Sequence, residues 1–421
     1  MTWNAKAITL ADEDHFQTLN GLWTGKKAPF VKAGVIRNTN FTESGRIDYT
    51  DVAWLQVEQK QLAKRQLKFG DIIVERSGGG PKQPVGRVVF FTRDDSPFSF
   101  SNFTSAIRVH DTKAFDAKFV FYGLLELYQS GQTEDIQRRT TGIRNLDFTA
   151  YKERAAFPRI PLEEQLKIAG VLGLVQRAID QQERLIALTT ELKKALLHQL
   201  FTQGLRGEPQ KQTEIGPVPE SWEVVPLEGV AKIERGKFTH RPRNEPRFYG
   251  GQTPFVQTGD VSLCDGRIRE YSQTLNEEGV LISKVFPAGT ILITIAANIG
   301  FSGILEFDSA CPDSLIGLTP NERIDVEFLQ HYLTTQQPVM DRLAPRGTQK
   351  NINIQFLKPW LVPLPSSDEQ SEIREALNAV DSKVRVARRK HAALTALFRT
   401  LLHLLMTAQL RVQDLDFPEA A

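Results

Sequence analysis

The chain has 421 residues, with 52 Lys and Arg against 50 Asp and Glu, a formal net charge of +2 and a mean hydropathy of −0.29. That length builds two or three domains with sizeable cores, and the balanced charge neither requires nor excludes a polyanionic partner, since a basic face can hide in a neutral total. The opening residues lack the apolar core of a signal peptide and no apolar run is long enough to span a bilayer, so no membrane association is expected. Only two cysteines occur, Cys264 and Cys311, neither in a CxxC or a Cys/His cluster. No metal site is expected, and a reducing, cytoplasmic setting is.

Residues 1–158 read as a first strand-rich, glycine-punctuated head. Val35-Ile36-Arg37-Asn38-Thr39-Asn40-Phe41 leads to Gly45-Arg46-Ile47. LKFGDIIVER (67–76) is a Gly turn feeding a β-branched strand, and the small-residue loop SGGGPKQPVGR, with Lys82 and Arg87, follows. A helix is predicted over FDAKFVFYGLLELYQ, then a turn in which Arg138, Arg139 and Arg144 bracket Thr-Thr-Gly.

Residues 159–205 read as one long helix. Its apolar positions step four, three, four, three through Ile168, Leu172, Val175, Ile179, Ile186 and on to Leu196, with Gln182 and Thr189 interrupting. That alternation is a coiled-coil seam. Pro158 and Pro161 precede it, and Glu163 and Glu164 complement the dipole of its N-terminus. About 40 residues at 1.5 Å each make a rod on the order of 60 Å. Gly204, Gly207 and Pro209 end it.

Residues 206–361 form a linker and a second head with the same internal order. Phe255-Val256-Gln257-Thr258-Gly259-Asp260-Val261 leads to Gly266-Arg267-Ile268, and FPAGTILITI (286–295) is the second Gly-fed strand, followed by a loop containing Asn298. A helix over DVEFLQHYLTTQ and a turn holding Arg346, Gln349 and Lys350 complete it. Residues 362–410 form a second long helix, with a seam of Ile373, Leu377, Val380, Val384, Leu394 and Leu401, and 411–421 is a tail. The helices repeat at one offset without a gap. Glu164-Gln165 falls on Glu369-Gln370, 205 residues on, and at that offset His198 meets His403.

The expected architecture is therefore α+β: two pseudo-twofold-related α/β domains separated by an antiparallel pair of long coiled-coil helices. The competing arrangement, each helix docked only on its own head, stays open. The framework repeats while its side chains differ: Arg37-Asn38 becomes Gln257-Thr258, and Arg76 becomes Ile295. Two binding heads of different specificity would look like this, as would drift after duplication.

Basic residues gather in loops. Residues 235–247 put Lys237, Arg241, Arg243 and Arg247, with His240 between them, against one acid, Glu245. Arg and Lys beside Asn, Gln and Thr are what phosphate anchoring and base-edge reading require. Base reading is expected from Arg37, Asn38, Asn40, Gln257, Thr258, Arg267 and Asn298. Phosphate contact is expected from the basic residues of the loops at 138–144, 235–247 and 346–350, and DNA contact also from Arg46, Arg76, Lys82, Arg87, His240 and Gln349. No GxxxxGK[ST], HExxH or Gly-x-Ser-x-Gly occurs, carboxylates lack nuclease spacing, and the seven histidines do not cluster. No catalytic residue and no resident cofactor are therefore expected.

These features together resemble the specificity subunits of type I restriction–modification systems. The resemblance rests on the IPLEEQ and SSDEQ helix starts, IGPVPESWEVVPLEGVAKIERGK, LKFGDIIVERSGG and GTQKNI, in that architecture twice over. The first head departs by lacking the PxSW-type opening of the second. The resemblance implies two target-recognition domains, each reading one half of an asymmetric bipartite site on double-stranded DNA. It implies helices that bind two methyltransferase subunits, with motor-nuclease subunits added. S-adenosylmethionine, ATP and Mg would belong to those partners. Rival readings are a stand-alone DNA-binding regulator, an enzyme with unrecognised motifs, and a coiled-coil scaffold.

Overall fold

A computed structural model describes residues 7–23, 25–80, 83–140, 143–296, 298–345 and 350–415. The chain divides into two compact units, Met1–Glu183 with Arg389–Ala421, and Arg184–Arg388. Both boundaries fall inside the two long helices, Leu162–Gln203 and Ser367–Met406. Each unit is thus one head plus half of each helix. The sequence-based division at 158/159 and 361/362 follows secondary structure, whereas compactness follows packing.

The heads share a frame. In the first, an antiparallel sheet runs in the order Phe16–Asn20, Thr104–Val109, Ile72–Glu75, Val88–Phe90. Ile72, Ile73 and Val74 are fully buried at its centre, and Gly70 (φ +91°) makes the turn into them, a conformation that favours glycine. Phe30–Ile36 pairs with Ala53–Glu58 and runs parallel to Phe98–Phe100. In the second head the corresponding sheet runs Ala231–Arg235, Leu315–Pro320, Ile291–Thr294, Ser302–Leu305, Arg267–Ile268. Gly289 (φ +85°) leads into its buried central strand, as Gly70 does in the first. Tyr249–Phe255 again runs parallel to a short strand, Ser309–Cys311.

One helix of each head, Ala117–Gln129 or Val326–Leu343, lies on the long helices. In the first unit Phe119 and Tyr122 share a core with Ile168, Leu172 and Ile179 of the central helix and Phe398, Leu402 and Leu405 of the C-terminal one. In the second, Phe328, Leu329 and Tyr332 share a core with Leu197, Leu200 and Phe201 and with Ile373 and Leu377. The start of one helix therefore packs with the end of the other in each unit, which is an antiparallel pair.

The repeated Glu-Gln is the joint. Gln165 accepts from the Asp116 amide (2.9 Å) and donates to the carbonyls of Ala114 (2.7 Å) and Ile160 (3.0 Å). Gln370 accepts from the Asp325 amide (2.7 Å) and donates to Arg323 (3.1 Å) and Pro365 (3.0 Å). Asp116 and Asp325 are themselves the N-caps of the two head helices. The preceding glutamates hold the opposite helix end: Glu369 takes the Leu205 amide (2.8 Å) and the Trp222 indole (3.0 Å), and Glu164 pairs with Arg411 (3.4 Å).

The helical seam is wider than a two-stranded coiled coil. Ile168, Leu172, Ile179, Ile373 and Leu377 are buried, while Val175, Ile186, Val380, Val384 and Leu394 are half-buried. At the C-terminal ends the expected Leu196 and Leu401 sit at the margin, and Leu197 and Leu402 are buried instead. Each helix there faces both its partner helix and a head helix. A 3.6-residue turn also drifts off a strict heptad.

Candidate nucleic-acid interface

In the first head, the strands Phe16–Asn20 and Ile72–Glu75 end beside the start of Thr104–Val109, and the connections there form one polar end. Asn20 pairs with Ser105, and the Arg76 guanidinium, Nη1, donates to both, at 3.1 Å to Asn20 Oδ1 and 3.3 Å to Ser105 Oγ. Arg76 also lies 4.6 Å over the Phe148 ring, and half-burial pulls its pKa below the usual arginine value. The segment after Phe30–Ile36 enters the same end, because the Ser101 amide donates to the Ile36 carbonyl (2.8 Å). Asn38 Nδ2 donates to Glu75 (3.2 Å) and to the Ser77 carbonyl (3.3 Å), and Ser77 Oγ donates to Asn145 (2.6 Å). Arg37 reaches Asp51, and Arg144 reaches Gln137 (3.5 Å).

In the second head, the corresponding end carries arginines. Asp313 is its hub: its carbonyl accepts from Arg235 Nε (2.7 Å), and its carboxylate takes Arg241 (2.9 Å) and Arg243. Gln257 and Asp260 form the turn that Arg37 and Asn40 form in the first head, each pair closed by a backbone amide on the later side chain (2.7 and 2.9 Å). The Gln257 amide donates to Gln273 (3.0 Å), and Thr258 shares a hydrogen bond with Ser314 (3.2 Å). Arg247 lies 4.5 Å over Phe248, between Glu245 and Glu278, and His240 pairs with Glu245. Lys237 is exposed, and Lys350 pairs with Asp341 (2.9 Å). Asn298 donates to Ser262 at 3.5 Å.

Comparison with known proteins fits this geometry. A model of the type I restriction modification DNA specificity domain matches residues 219–396. The chain is 26% identical over 399 residues (94% of this chain, 91% of the relative) to a Methanocaldococcus jannaschii protein assigned as the type I restriction enzyme MjaX specificity subunit. It is 27% identical over 322 residues (72% and 73%) to the MjaVIII specificity subunit of the same organism. Its fold is similar to the crystal structure of a type I system S subunit from M. genitalium, with a TM-score of 0.62 at 18% identity, covering 96% of this chain and 97% of that one. Residues 219–396 thus carry the specificity domain of type I restriction–modification systems, and nearly the whole chain is similar to their specificity subunits.

Several of the expected DNA contacts have partners within the chain. Asn40 is buried, and its side chain takes the Arg37 amide and donates to the carbonyls of Asp48 (3.2 Å) and Asp51 (3.0 Å). Arg46 ties the first head to the central helix through Asp180 (2.5 Å) and Glu183 (2.6 Å). Arg87 grips buried Glu75 through two hydrogen bonds (2.8 and 2.9 Å) and also reaches the Asn38 carbonyl. Burial alone would lower its pKa, and the Glu75 carboxylate more than offsets that. Arg267, the counterpart of Arg46, is held by Glu306 and Glu327. In Arg46, Arg87 and Arg267 a basic residue after a Gly turn binds neighbouring elements together, and Asn40 closes its own loop. Arg138 is exposed and pairs with Asp147. Lys82, Arg346, Gln349 and the side chain of Arg139 lie outside the described residues.

The sequence reading also passed over residues at these ends. Asn20, Trp23, Lys26 and Lys27 stand in the first head where Arg235 and the loop after it stand in the second, and Asp313 organises the second end alone. The signal was the Gly that follows each first strand, Gly21 and Gly236. A Cβ at either would lie within 2.3 Å of a backbone carbonyl, that of Ser101 or Pro312. Among the described residues no group of His, Cys, Asp and Glu could hold a metal ion, and no helix is long and apolar enough to cross a membrane.

Proposed function

We propose that each polar end reads one half of an asymmetric bipartite DNA site. The chain is the sequence-specificity subunit of a type I restriction–modification complex and is not itself an enzyme. One observation supports this division of labour: one backbone frame closes at its polar end with Asn20, Asn38, Arg76 and Asn145 in one head and with Arg235, Gln257, Thr258 and Asp313 in the other. Amides and guanidinia match base-edge donors and acceptors, and arginines near the rim match phosphates. Fixed helices set the half-site spacing, as dimer geometry does for palindromic operators.

The paired helices dock two methyltransferase subunits, and motor-nuclease subunits join them. S-adenosylmethionine, ATP and magnesium then reside on those partners and none on this chain. Cys264 and Cys311 are unpaired, which suits a reducing cytoplasm. The test is a genome-wide N6-methyladenine map with and without the gene. Loss of one bipartite motif on deletion is expected. An unchanged map, with the chain still binding DNA, would leave a DNA binder without a methyltransferase.

A further inference from the structure

Two large aromatic side chains stand out of the polar end of the first head. Trp23 is 67% exposed and Phe103 is 48% exposed. Both sit beside paired backbone. The Leu22 amide donates to the Phe100 carbonyl (2.8 Å), Leu22 forms a parallel bridge with Ser101, and its side chain is buried. The Phe103 carbonyl accepts from the amides of Arg76 (2.8 Å) and Ser77 (3.1 Å). The bridge between 22 and 101 thus brings Trp23 and Phe103 out of one edge, beside Arg76. Lys26 and Lys27 are exposed three and four residues past Trp23, and among the described residues neither ammonium forms an ion pair.

The second head differs at both of these places. By strand register, Phe238 and Ser314 occupy the places of Trp23 and Phe103. Phe238 is 1% exposed and packs on Phe248 and Phe255. The frame can therefore bury an aromatic here, and the first head leaves two in water.

We propose that Trp23 and Phe103 are a DNA wedge: they insert at, or stack on, a base step of the half-site read by the first head. This rests on the reading of that end as a DNA interface. The flanking lysines match phosphates on either side of the step. Apolar wedges that part a base step bend the duplex and lower the cost of extruding a neighbouring base. A target base must leave the stack before a methyltransferase can reach it. The first head thus distorts its half-site at a place where the second head, with Phe238 buried, carries no wedge.

The test uses the full chain assembled with its methyltransferase subunits. Duplexes carry the site from the methylation map, with 2-aminopurine at each step of both half-sites in turn. For the native chain, fluorescence should rise at one step of one half-site only. Trp23→Ala with Phe103→Ala should abolish that rise and weaken cognate binding on the order of tenfold, the size expected for a lost base–aromatic stack. Binding to a scrambled duplex should change little. The single variants and Trp23→Tyr, which keeps a ring, should fall between. Both sites are exposed, so an unchanged melting temperature checks folding. A native complex that binds cognate and scrambled duplexes alike would sink the DNA-reading function itself. Discrimination by the native complex, with unchanged fluorescence and affinity in the double variant, would overturn the wedge alone and leave the aromatics as a surface for a protein partner.

Discussion

The two heads differ least where they meet the helices and most where they end in polar loops. At the joint, Gln165 and Gln370 make the same three hydrogen bonds to equivalent groups. At the far end, asparagines and exposed aromatics face arginines gathered on one aspartate. The geometry of the joint is shared, and the chemistry of the polar ends is not.

The joint offers the largest effect. Gln165→Leu leaves the Asp116 amide and two carbonyls without partners in a buried place, as Gln370→Leu does for Asp325. Each should cost about 3 kcal/mol or more, from penalties of about 1–3 kcal/mol for each group left unsatisfied. Denaturant unfolding followed by hydrogen exchange should place each loss in its own unit. A silent substitution on one side would break the equivalence.

The polar ends come next. Asn38→Ala should relax base preference at a position of one half-site by about 1–3 kcal/mol, and Thr258→Ala at one of the other, read as altered methylation motifs. If both relaxed the same half-site, the assignment of one head to each half would fail. Weaker for discrimination is Arg241→Ala with Arg243→Ala, set against Lys26→Ala with Lys27→Ala. Each pair should lower affinity for all duplexes and reduce the salt slope by about 2, since each phosphate contact contributes about 0.9. A slope unchanged in one pair would remove that loop from the interface.

What could be read in the sequence follows from the physics of each feature. The tandem was legible because helix periodicity and the Glu-Gln joint are local patterns kept at one offset. The framework strands were legible because Gly70 and Gly289 feed β-branched runs. Which cations face outward was not legible, because that depends on neighbours far along the chain. Arg46 is claimed by Asp180 and Glu183 on the central helix, and Arg267 by Glu306 and Glu327. Nor could the sequence tell Trp23 from Phe238: both follow a Gly after the first strand, and only the packing of Phe248 and Phe255 buries the second.

The smallest expected effect tests the shared frame through a compensated pair. Tyr122 of the first head helix sits over Gly173, where a Cβ would lie 3.6 Å from its hydroxyl, and that hydroxyl donates to Gln176 (3.1 Å). At the corresponding place in the second head His331 meets Asn378 (3.2 Å), at the offset that relates the helices. Burial lowers the pKa of His331 below its ordinary 6.5, and nearby Lys193 adds to this, against an opposing pull from Asp381. The unfolded chain therefore takes up the proton first as pH falls. Stability from this site is complete above about pH 6.5 and is lost below it, at no more than about 1.4 kcal/mol per pH unit. His331→Tyr alone should crowd Asn378 and destabilise the second unit by about 1–3 kcal/mol. Adding Asn378→Gly rebuilds the arrangement of the first head and should recover most of that loss. It should also remove the decline between pH 7 and 5.5 in denaturant midpoint. If the double variant kept the native pH dependence, the titrating group would lie elsewhere and the two head–helix contacts would not be interchangeable.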